Sequence, residues 1–533
     1  MATLSACLIV RDEEENLEAC LEALEPWVDE VCVLDTGSKD RSVALAEASG
    51  ARVGHFPWCD DFAAARNACL ELATSDWVLS VDADELLDPE SAPVLRERLE
   101  DESAQAFLVW LDNLDGGRDP QGRPSLSSVG LPRLFRRRPE IRWARPVHES
   151  VMESLLALGV GDLEHSGVRL VHHGYLPEVV RERGKRERNL AILEEHARRE
   201  PDDLFNAYKL GSTLVSLERG SQAADLMAET WARARELSAA QRAQRPFLPL
   251  LAAEAARLRM GEGRASEAWR IAQEGLEDHS TVSELLFQGA EIQRRCGGLE
   301  QAGELYAAAR GAEPWTDLYA GDPRSRKQGP LIGLAQVAAL AGDPELAERC
   351  AEQAVELAPT DLEARALAAR LCAVRGRGEE AWSRLSALLN EAPGDPHVGL
   401  LAAEMAWGQG ERETAAGFWR GALLQPRAEH AARAWLAMAA LVDGDLEGAL
   451  DLGRDLRAVD LPECGARVVL AAVAGQGLEL DPLVRAPALL GEVQAWLGEL
   501  VRDPGGRALG AFARGAGALE AALPGLGGLL RAD

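Results

Sequence analysis

The stretch Trp77-Val-Leu-Ser-Val-Asp-Ala-Asp-Glu85 decides the fold of the N-terminal third of the chain. Its short apolar run is typical of a strand buried on both faces of a sheet, and it leads directly into carboxylates. Asp82 and Asp84, with one residue between them at a strand exit, can hold a divalent ion that in turn holds a diphosphate. The same triplet also occurs in turns and helix caps, so its interpretation depends on the surrounding sequence.

Outward from this stretch, apolar runs alternate with helical patterns. The runs lie at 6–10, 31–34 and 52–56, and segments with helical spacing of apolar residues separate them. This alternation predicts an α/β fold in which helices cover both faces of a parallel sheet. Ligands of such sheets bind at the carboxyl ends of the strands, where this chain carries Arg11-Asp12, Asp35 and Asp82-Ala-Asp84.

The second half of the chain repeats with a period of 34 residues. Glycines carry the period, each with an alanine seven residues before it and another five residues after it: Gly263, Gly297, Gly342, Gly376, Gly410 and Gly444. The interval from Gly297 to Gly342 is 45 residues, because about eleven residues are inserted there. Helices that end at Gly and cross closely at Ala indicate tandem helix–turn–helix units. The pattern resembles the tetratricopeptide repeat and predicts an all-α, TPR-like solenoid at 185–475, followed by a degenerate helical cap or tail at 476–533. Such a superhelix either presents a concave binding surface or serves as an inert scaffold.

The composition of the chain argues against several classes of protein. Lys+Arg 57 against Asp+Glu 87 gives a formal charge of −30, which opposes non-specific binding to nucleic acid. We find neither an apolar run long enough for a transmembrane segment nor the pattern of a signal peptide. The 9 cysteines include no CxxC pair, so neither a disulfide framework nor a zinc site is indicated. We therefore expect a cytoplasmic protein without a nucleic-acid partner.

The N-terminal motifs together resemble a known enzyme family. They are similar to those of the family 2 glycosyltransferases of the GT-A (nucleotide-diphospho-sugar transferase) fold, many of which continue into tetratricopeptide repeats. The resemblance implies a transferase domain at 1–184. It is carried, in chain order, by Leu8-Ile-Val-Arg-Asp-Glu-Glu-Glu-Asn16, Val33-Leu-Asp-Thr-Gly-Ser-Lys-Asp40, Trp58-Cys-Asp-Asp-Phe62, Ala65-Arg-Asn67, Leu79-Ser-Val-Asp-Ala-Asp-Glu85, Arg133-Leu-Phe135, Pro146-Val-His-Glu149, His172-His-Gly-Tyr175, Lys185 and Arg188-Asn189.

The resemblance also implies which residues bind the nucleotide-sugar. Arg11 and Glu14 would line the nucleotide pocket, and Asp35 would hydrogen-bond the base or the ribose. Arg66 would contact the nucleotide or the diphosphate, and Asp82 the ribose or a metal-bound water. Two of these assignments have structural alternatives, since Glu14 can support the helix that begins nearby and Asp35 can cap the turn after it.

Metal and catalytic residues follow from the same resemblance. Asp84 would ligate Mn²⁺ or Mg²⁺ directly, with His172 as the other protein ligand. Family 2 enzymes invert the anomeric carbon, which requires a carboxylate to deprotonate the acceptor. Glu149 is expected to be this base, although His148-Glu149 departs from the usual family pattern of an Asp after a Glu. The alternatives are a half-buried strand histidine for His172 and a helix N-terminal glutamate for Glu149.

We therefore predict an inverting, metal-dependent hexosyltransferase joined to a TPR-like solenoid. UDP is the default nucleotide and a hexose the default sugar, while the acceptor would be a peptide, a protein or a glycan held by the solenoid groove. The alternative from another class is a TPR scaffold or peptide-binding protein whose transferase domain is inactive.

Overall fold

The computed structural model describes residues 2–118, 124–172, 179–312, 322–408 and 410–423, together with Ala432, Arg433 and Leu436. The predicted tail at 476–533 and the repeat around Gly444 lie outside the described residues, as does His173, which follows His172 in the sequence. The chain divides into two compact units, of which the first holds Met1–Ala223 and the second begins at Ala224. The domain boundary at 184 and 185 stays a prediction.

One mixed sheet organises the described part of the first unit. Its strands are β1 (Leu4–Val10), β2 (Glu30–Asp35), β3 (Arg52–His55), β4 (Trp77–Ser80), β5 (Glu85–Leu87), β6 (Ala106–Arg118), β7 (Pro124–Arg136) and β8 (His165–His172). They lie in the order β3-β2-β1-β4-β7-β6-β8-β5. The predicted parallel arrangement is confirmed for β1 to β4. Beyond β4 the sheet is mixed, because the long strands β6 and β7 pair antiparallel with each other and β7 pairs antiparallel with β4.

Helices cover both faces of this sheet, as predicted. The first unit contains α1 (Leu17–Leu24), α2 (Ser42–Ala48), α3 (Phe62–Leu70), α4 (Ala92–Leu99), α5 (Met152–Ala157), α6 (Val179–Arg199) and α7 (Leu204–Ser216). On one face, Leu17 of α1 and Leu95 of α4 are fully buried in one apolar cluster. On the other, Ala65 of α3 and Leu155 of α5 belong to a second cluster. The Asp61 carboxylate accepts a hydrogen bond from the Ala64 amide at 2.8 Å, which caps α3 and fixes where this helix begins.

The last two helices of the first unit, α6 and α7, form a hairpin that is tied to the rest of that unit. The Asn206 side chain donates a hydrogen bond to the Leu193 carbonyl at 3.2 Å, which joins the two helices. Asp203 caps α7 and also accepts a hydrogen bond from Arg145 Nε at 3.0 Å. The Arg145 guanidinium lies 4.6 Å from the centre of the Phe205 ring. These contacts fix the hairpin against the loop that precedes α5.

The second unit is helical in its described residues. Its helices are α8 (Gly220–Arg235), which belongs to this unit from Ala224 onward, α9 (Ala239–Ala243), α10 (Leu248–Gly261), α11 (Ala265–Asp278), α12 (Ser283–Arg295), α13 (Leu299–Arg310), α14 (Gln328–Leu340), α15 (Pro344–Leu357), α16 (Leu362–Val374), α17 (Gly378–Glu391), α18 (Pro396–Gly408) and α19 (Arg412–Ala422), with a 3-10 turn at Pro323–Ser325. Among the helices described, none has both the length and the apolar character needed to cross a membrane.

The 34-residue period has the predicted structural basis. Each repeat glycine among the described residues follows the end of a helix and has a positive φ: Gly263 (80°), Gly297 (81°), Gly342 (80°), Gly376 (78°) and Gly410 (82°). A glycine adopts this left-handed conformation without the steric cost that a Cβ would add. The alanines at both offsets are fully buried, as Ala256 and Ala268 show for the first of these units.

Candidate active site

A cavity of about 790 Å³ lies in the first unit, at the carboxyl ends of the central strands. The loop 9–13 after β1 and the segment 82–84 after β4 form one wall. The segment 143–152 and residues of α6 and α7 contribute to the rest of the lining. This is the place that the strand order of a parallel α/β sheet predicts for a ligand.

Arg66 is the centre of the hydrogen-bond network beneath this cavity. Its side chain is 6% exposed and donates through all three nitrogens: Nε to Glu149 Oε1 at 2.7 Å, Nη1 to Ser80 Oγ at 3.0 Å and Nη2 to Asp82 Oδ1 at 2.7 Å. The guanidinium also lies 5.0 Å from the centre of the Trp143 ring. Arg66 therefore holds Asp82 and Glu149 in fixed positions on the cavity wall.

A second buried arginine, Arg133 of β7, completes the network. It donates to Asp82 Oδ2 at 3.1 Å and to Glu85 Oε2 at 2.9 Å. Burial opposes the ionisation of Asp82, but the charges of Arg66 and Arg133 outweigh this effect, and the pKa of Asp82 lies well below its usual range. Burial raises the pKa of Glu85 to about 7, against the charge of Arg133. Asp82 is thus a charged, immobilised carboxylate and is poorly suited to accept a proton.

Asp84 lines the cavity and contacts His172, which is 88 residues away in sequence and is not part of the lining. His172 Nε2 lies 3.1 Å from Asp84 Oδ2, and His172 Nδ1 lies 2.9 Å from the side-chain oxygen of Asn113. Since that oxygen only accepts, Nδ1 carries a proton and Nε2 faces the carboxylate. Burial lowers the pKa of His172, but the hydrogen bond and charge of Asp84 outweigh it and the pKa is raised.

This pair fits a divalent cation. Two ligands that each lie about 2.1 Å from one ion are separated by about 3 Å, as the Asp84 and His172 atoms are. Asn113, which lies against His172 Nδ1, would orient the imidazole if His172 were a ligand of that ion. A site with two protein ligands leaves the remaining positions of a Mg²⁺ or Mn²⁺ ion for water and phosphate oxygens.

The structure brings some of the other sequence-predicted residues to the cavity and not others. Arg11 lines it, as do Arg66, Asp82, Asp84 and Glu149. Glu14 instead accepts hydrogen bonds from the Arg41 amide and side chain, and it is absent from the lining. Asp35 accepts from the amides of Gly37 and Ser38 at 3.2 and 2.9 Å, which is the turn-capping alternative considered above, and it does not line the cavity either.

Sequence reasoning gave no role to several residues that line the cavity. Arg133 was visible only as part of the Arg-Leu-Phe motif, and Lys209 belongs to a segment predicted to be solenoid. Backbone strain is a further marker of the site: Arg145 and His148 line the cavity with φ of 74° and 56°, a conformation that costs a residue with a Cβ about 1–3 kcal/mol.

Comparisons with known proteins find a transferase region and tetratricopeptide repeats in this chain. The model of glycosyl transferase family 2 matches residues 5–152, and a tetratricopeptide repeat model matches residues 338–405. A TPR repeat-containing protein of Synechococcus elongatus is 36% identical over 367 residues, which cover 67% of this chain and 76% of that protein. The chain belongs to the family 2 glycosyltransferases that carry tetratricopeptide repeats.

Two further similarities concern the transferase unit. The SPbeta prophage-derived glycosyltransferase SunS of Bacillus subtilis is 27% identical over 42% of this chain, which spans only 52% of that relative. A solved glucosyl-3-phosphoglycerate synthase of Mycobacterium tuberculosis, in complex with Mn²⁺, uridine-diphosphate and phosphoglyceric acid, is 30% identical over 22% of this chain and 44% of that chain, with a TM-score of 0.19. The match to the family 2 model and the similarity to SunS favour the transferase interpretation over the alternative of an inactive TPR scaffold.

Proposed function

We propose that this glycosyltransferase moves a hexose from a nucleotide-diphospho-sugar, by default a UDP-sugar, to a peptide, protein or glycan acceptor with inversion at the anomeric carbon. The observation that carries the proposal is the arrangement at the exit of β4. Asp82 lies between two buried arginines on the cavity wall, and Asp84 Oδ2 lies 3.1 Å from His172 Nε2, whose other ring nitrogen lies against Asn113.

Asp84 and His172 would hold the Mg²⁺ or Mn²⁺ ion. When bound, the ion would neutralise the charge that develops on the leaving nucleoside diphosphate. Asp82 lies two residues away and keeps its charge, because Arg66 and Arg133 both hydrogen-bond it. It would orient the ribose or a water molecule next to the ion.

Glu149 would be the catalytic base. Its Oε1 is held by Arg66, while Oε2 forms no hydrogen bond with the residues that the structure describes. The acceptor hydroxyl or thiol attacks the anomeric carbon, the bond to the diphosphate oxygen breaks with its electron pair, and Glu149 accepts the acceptor proton. Glu149 precedes α5 and lies outside the first turn of that helix, which begins at Met152.

The repeats would orient the acceptor. Tandem helical repeats commonly present an extended surface to a peptide or a partner protein. The predicted cytoplasmic location remains part of this proposal, and the strong negative charge of the chain favours an acceptor other than nucleic acid.

Calorimetric titration of UDP with and without Mn²⁺ tests the proposal. Wild-type protein should bind UDP more tightly with the metal than without it. Asp84→Asn should abolish this difference, because it removes the charge of the ligand while keeping the shape of the side chain. Asp162→Asn is the matched control, since Asp162 is an exposed carboxylate of the same unit that does not line the cavity. If the folded wild type bound neither UDP, GDP nor TDP, the enzyme proposal would fail.

A further inference from the structure

The positive charges around the cavity fall into two groups. Arg66, Arg133 and Arg145 each form ion pairs with carboxylates of the first unit. By contrast, none of the ion pairs between described residues includes any member of the second group. This group, which we call the unpaired cations, consists of Arg11, Lys185, Arg188 and Lys209.

Two unpaired cations come close enough to repel each other. Arg11 follows β1 and Arg188 lies on α6, yet both line the cavity. Burial lowers the pKa of Arg188 and the charge of Arg11 lowers it further, with Asp60 as the opposing charge. The Arg188 guanidinium is placed over the Phe62 ring, 5.1 Å from its centre. Like charges held together in this way have a free-energy cost that a bound anion would remove.

A third unpaired cation, Lys209, lies on α7. Its ammonium is 5.6 Å from the ring centres of both Phe205 and Tyr208, which favours the charged form through cation–π attraction. Burial lowers the pKa of Lys209 to about 8. The Lys209 ammonium lines the cavity and has lost part of its hydration through burial. An anionic group of a ligand bound in the cavity would compensate for this loss.

We propose that Arg188 and Lys209, on the α6–α7 hairpin, bind the diphosphate of the donor in the cavity that they share with Asp84. This inference rests on the proposed function, because a diphosphate is the anion common to all donors of that class. The hairpin is anchored through Arg145 and Asp203, so both side chains are presented from a fixed support. The catalytic unit would then extend through α7, beyond the end of the family-model match at residue 152.

Charge-removing variants of the full chain test this inference. UDP in the presence of Mg²⁺ is titrated calorimetrically into wild type, Arg188→Gln and Lys209→Met, and uridine binding is followed by saturation-transfer NMR. Each variant should bind UDP about 10- to 100-fold more weakly, which is the usual contribution of one hydrogen bond to a charged group, with uridine binding unchanged. Arg198→Gln on the exposed end of α6 and Lys327→Met in the second unit are matched controls and should bind both ligands as wild type does.

Two results would overturn the inference while leaving the proposed function intact. One is UDP affinity within twofold of wild type in both variants. The other is an equal loss of UDP and uridine binding, which would mean that the side chains shape the pocket without contacting phosphate. Wild-type protein that binds no nucleotide would instead remove the proposed function itself. Thermal unfolding of each variant, followed by circular dichroism, identifies losses that arise from misfolding.

Discussion

The titration of Lys209 tests whether this lysine lies in the proposed donor site. In the free protein, burial lowers the pKa of this lysine to about 8, so it is partly neutral at mildly alkaline pH. A diphosphate beside the ammonium should raise the pKa, because an opposite charge favours the protonated form. Binding and protonation are then linked, and UDP should bind more tightly to the protonated protein.

The sign and size of the effect follow from this linkage. The affinity for UDP should be greatest at a pH below the pKa that Lys209 has in the free protein. It should fall as the pH rises through this pKa, because UDP binding must then either take up a proton or lose the contact with the ammonium. If the ammonium contributes about 10- to 100-fold to affinity, UDP should bind about 5- to 20-fold more weakly at about pH 9.5 than at about pH 7.5. His148, which lines the same cavity, is the ionisable neighbour on which Lys209 acts electrostatically.

The composition of the chain makes the measurement practicable. Lys39, Lys185, Lys209 and Lys327 are the only lysines, so protein labelled with [ε-13C]lysine gives few NMR signals. The signal that disappears in Lys209→Met should titrate near pH 8 and move to higher pH with UDP and Mg²⁺, whereas Lys327→Met should remove a different signal. Calorimetry over the same pH range should show a smaller loss of affinity in Lys209→Met than in wild type.

An ordinary lysine titration near 10.4 that UDP leaves unchanged would refute this reasoning. So would a loss of UDP affinity with pH that is the same in wild type and Lys209→Met. Both results would mean that the ammonium is well hydrated and that the diphosphate lies elsewhere.

Three other changes have defined outcomes. Glu149→Gln should keep UDP affinity within a few-fold of wild type but slow sugar transfer by about 100-fold or more, because it removes the base; undiminished turnover would exclude this role. Arg66→Lys should lower thermal stability and weaken UDP binding, since an ammonium cannot reproduce the three hydrogen bonds of the guanidinium, and a melting curve like that of wild type would contradict this. Gly333→Ala should destabilise the second unit by more than about 1 kcal/mol, because the added Cβ would lie 2.2 Å from the Tyr306 ring. Gly399→Ala is the control: its Cβ would meet open space, so the change should be neutral or stabilising by up to about 1 kcal/mol. Equal effects of the two changes on denaturant unfolding would show that Tyr306 moves aside.

The sequence was most informative where structure depends on local spacing. The strand exits placed Arg11, Asp82 and Asp84 correctly on one edge of the sheet, since a parallel α/β arrangement brings those ends together. The repeat glycines were equally predictable because a helix end needs a residue that tolerates positive φ, and Gly263 and Gly376 have this conformation.

Contacts between side chains that are far apart in sequence could not be predicted from local sequence patterns. Arg133 reaches Asp82 across 51 residues because β7 pairs antiparallel with β4, and no local pattern in either segment records this pairing. Arg66 and Glu149 are separated by 83 residues. Asp35 shows the opposite case, in which a strand-exit carboxylate is engaged by the amides of its own turn and so does not line the cavity.

The anchored α6–α7 hairpin has a practical consequence for exchanging modules between relatives. A chimera joined at residue 184 would retain every carboxylate of the site while discarding Arg188 and Lys209, and its inactivity would be wrongly attributed to the missing repeats. Joining partners after Ser216 keeps the hairpin with the loop before α5, to which the Arg145–Asp203 ion pair ties it. Repeat arrays of different length could then be attached to this unit to test the proposed role of the repeats in orienting the acceptor.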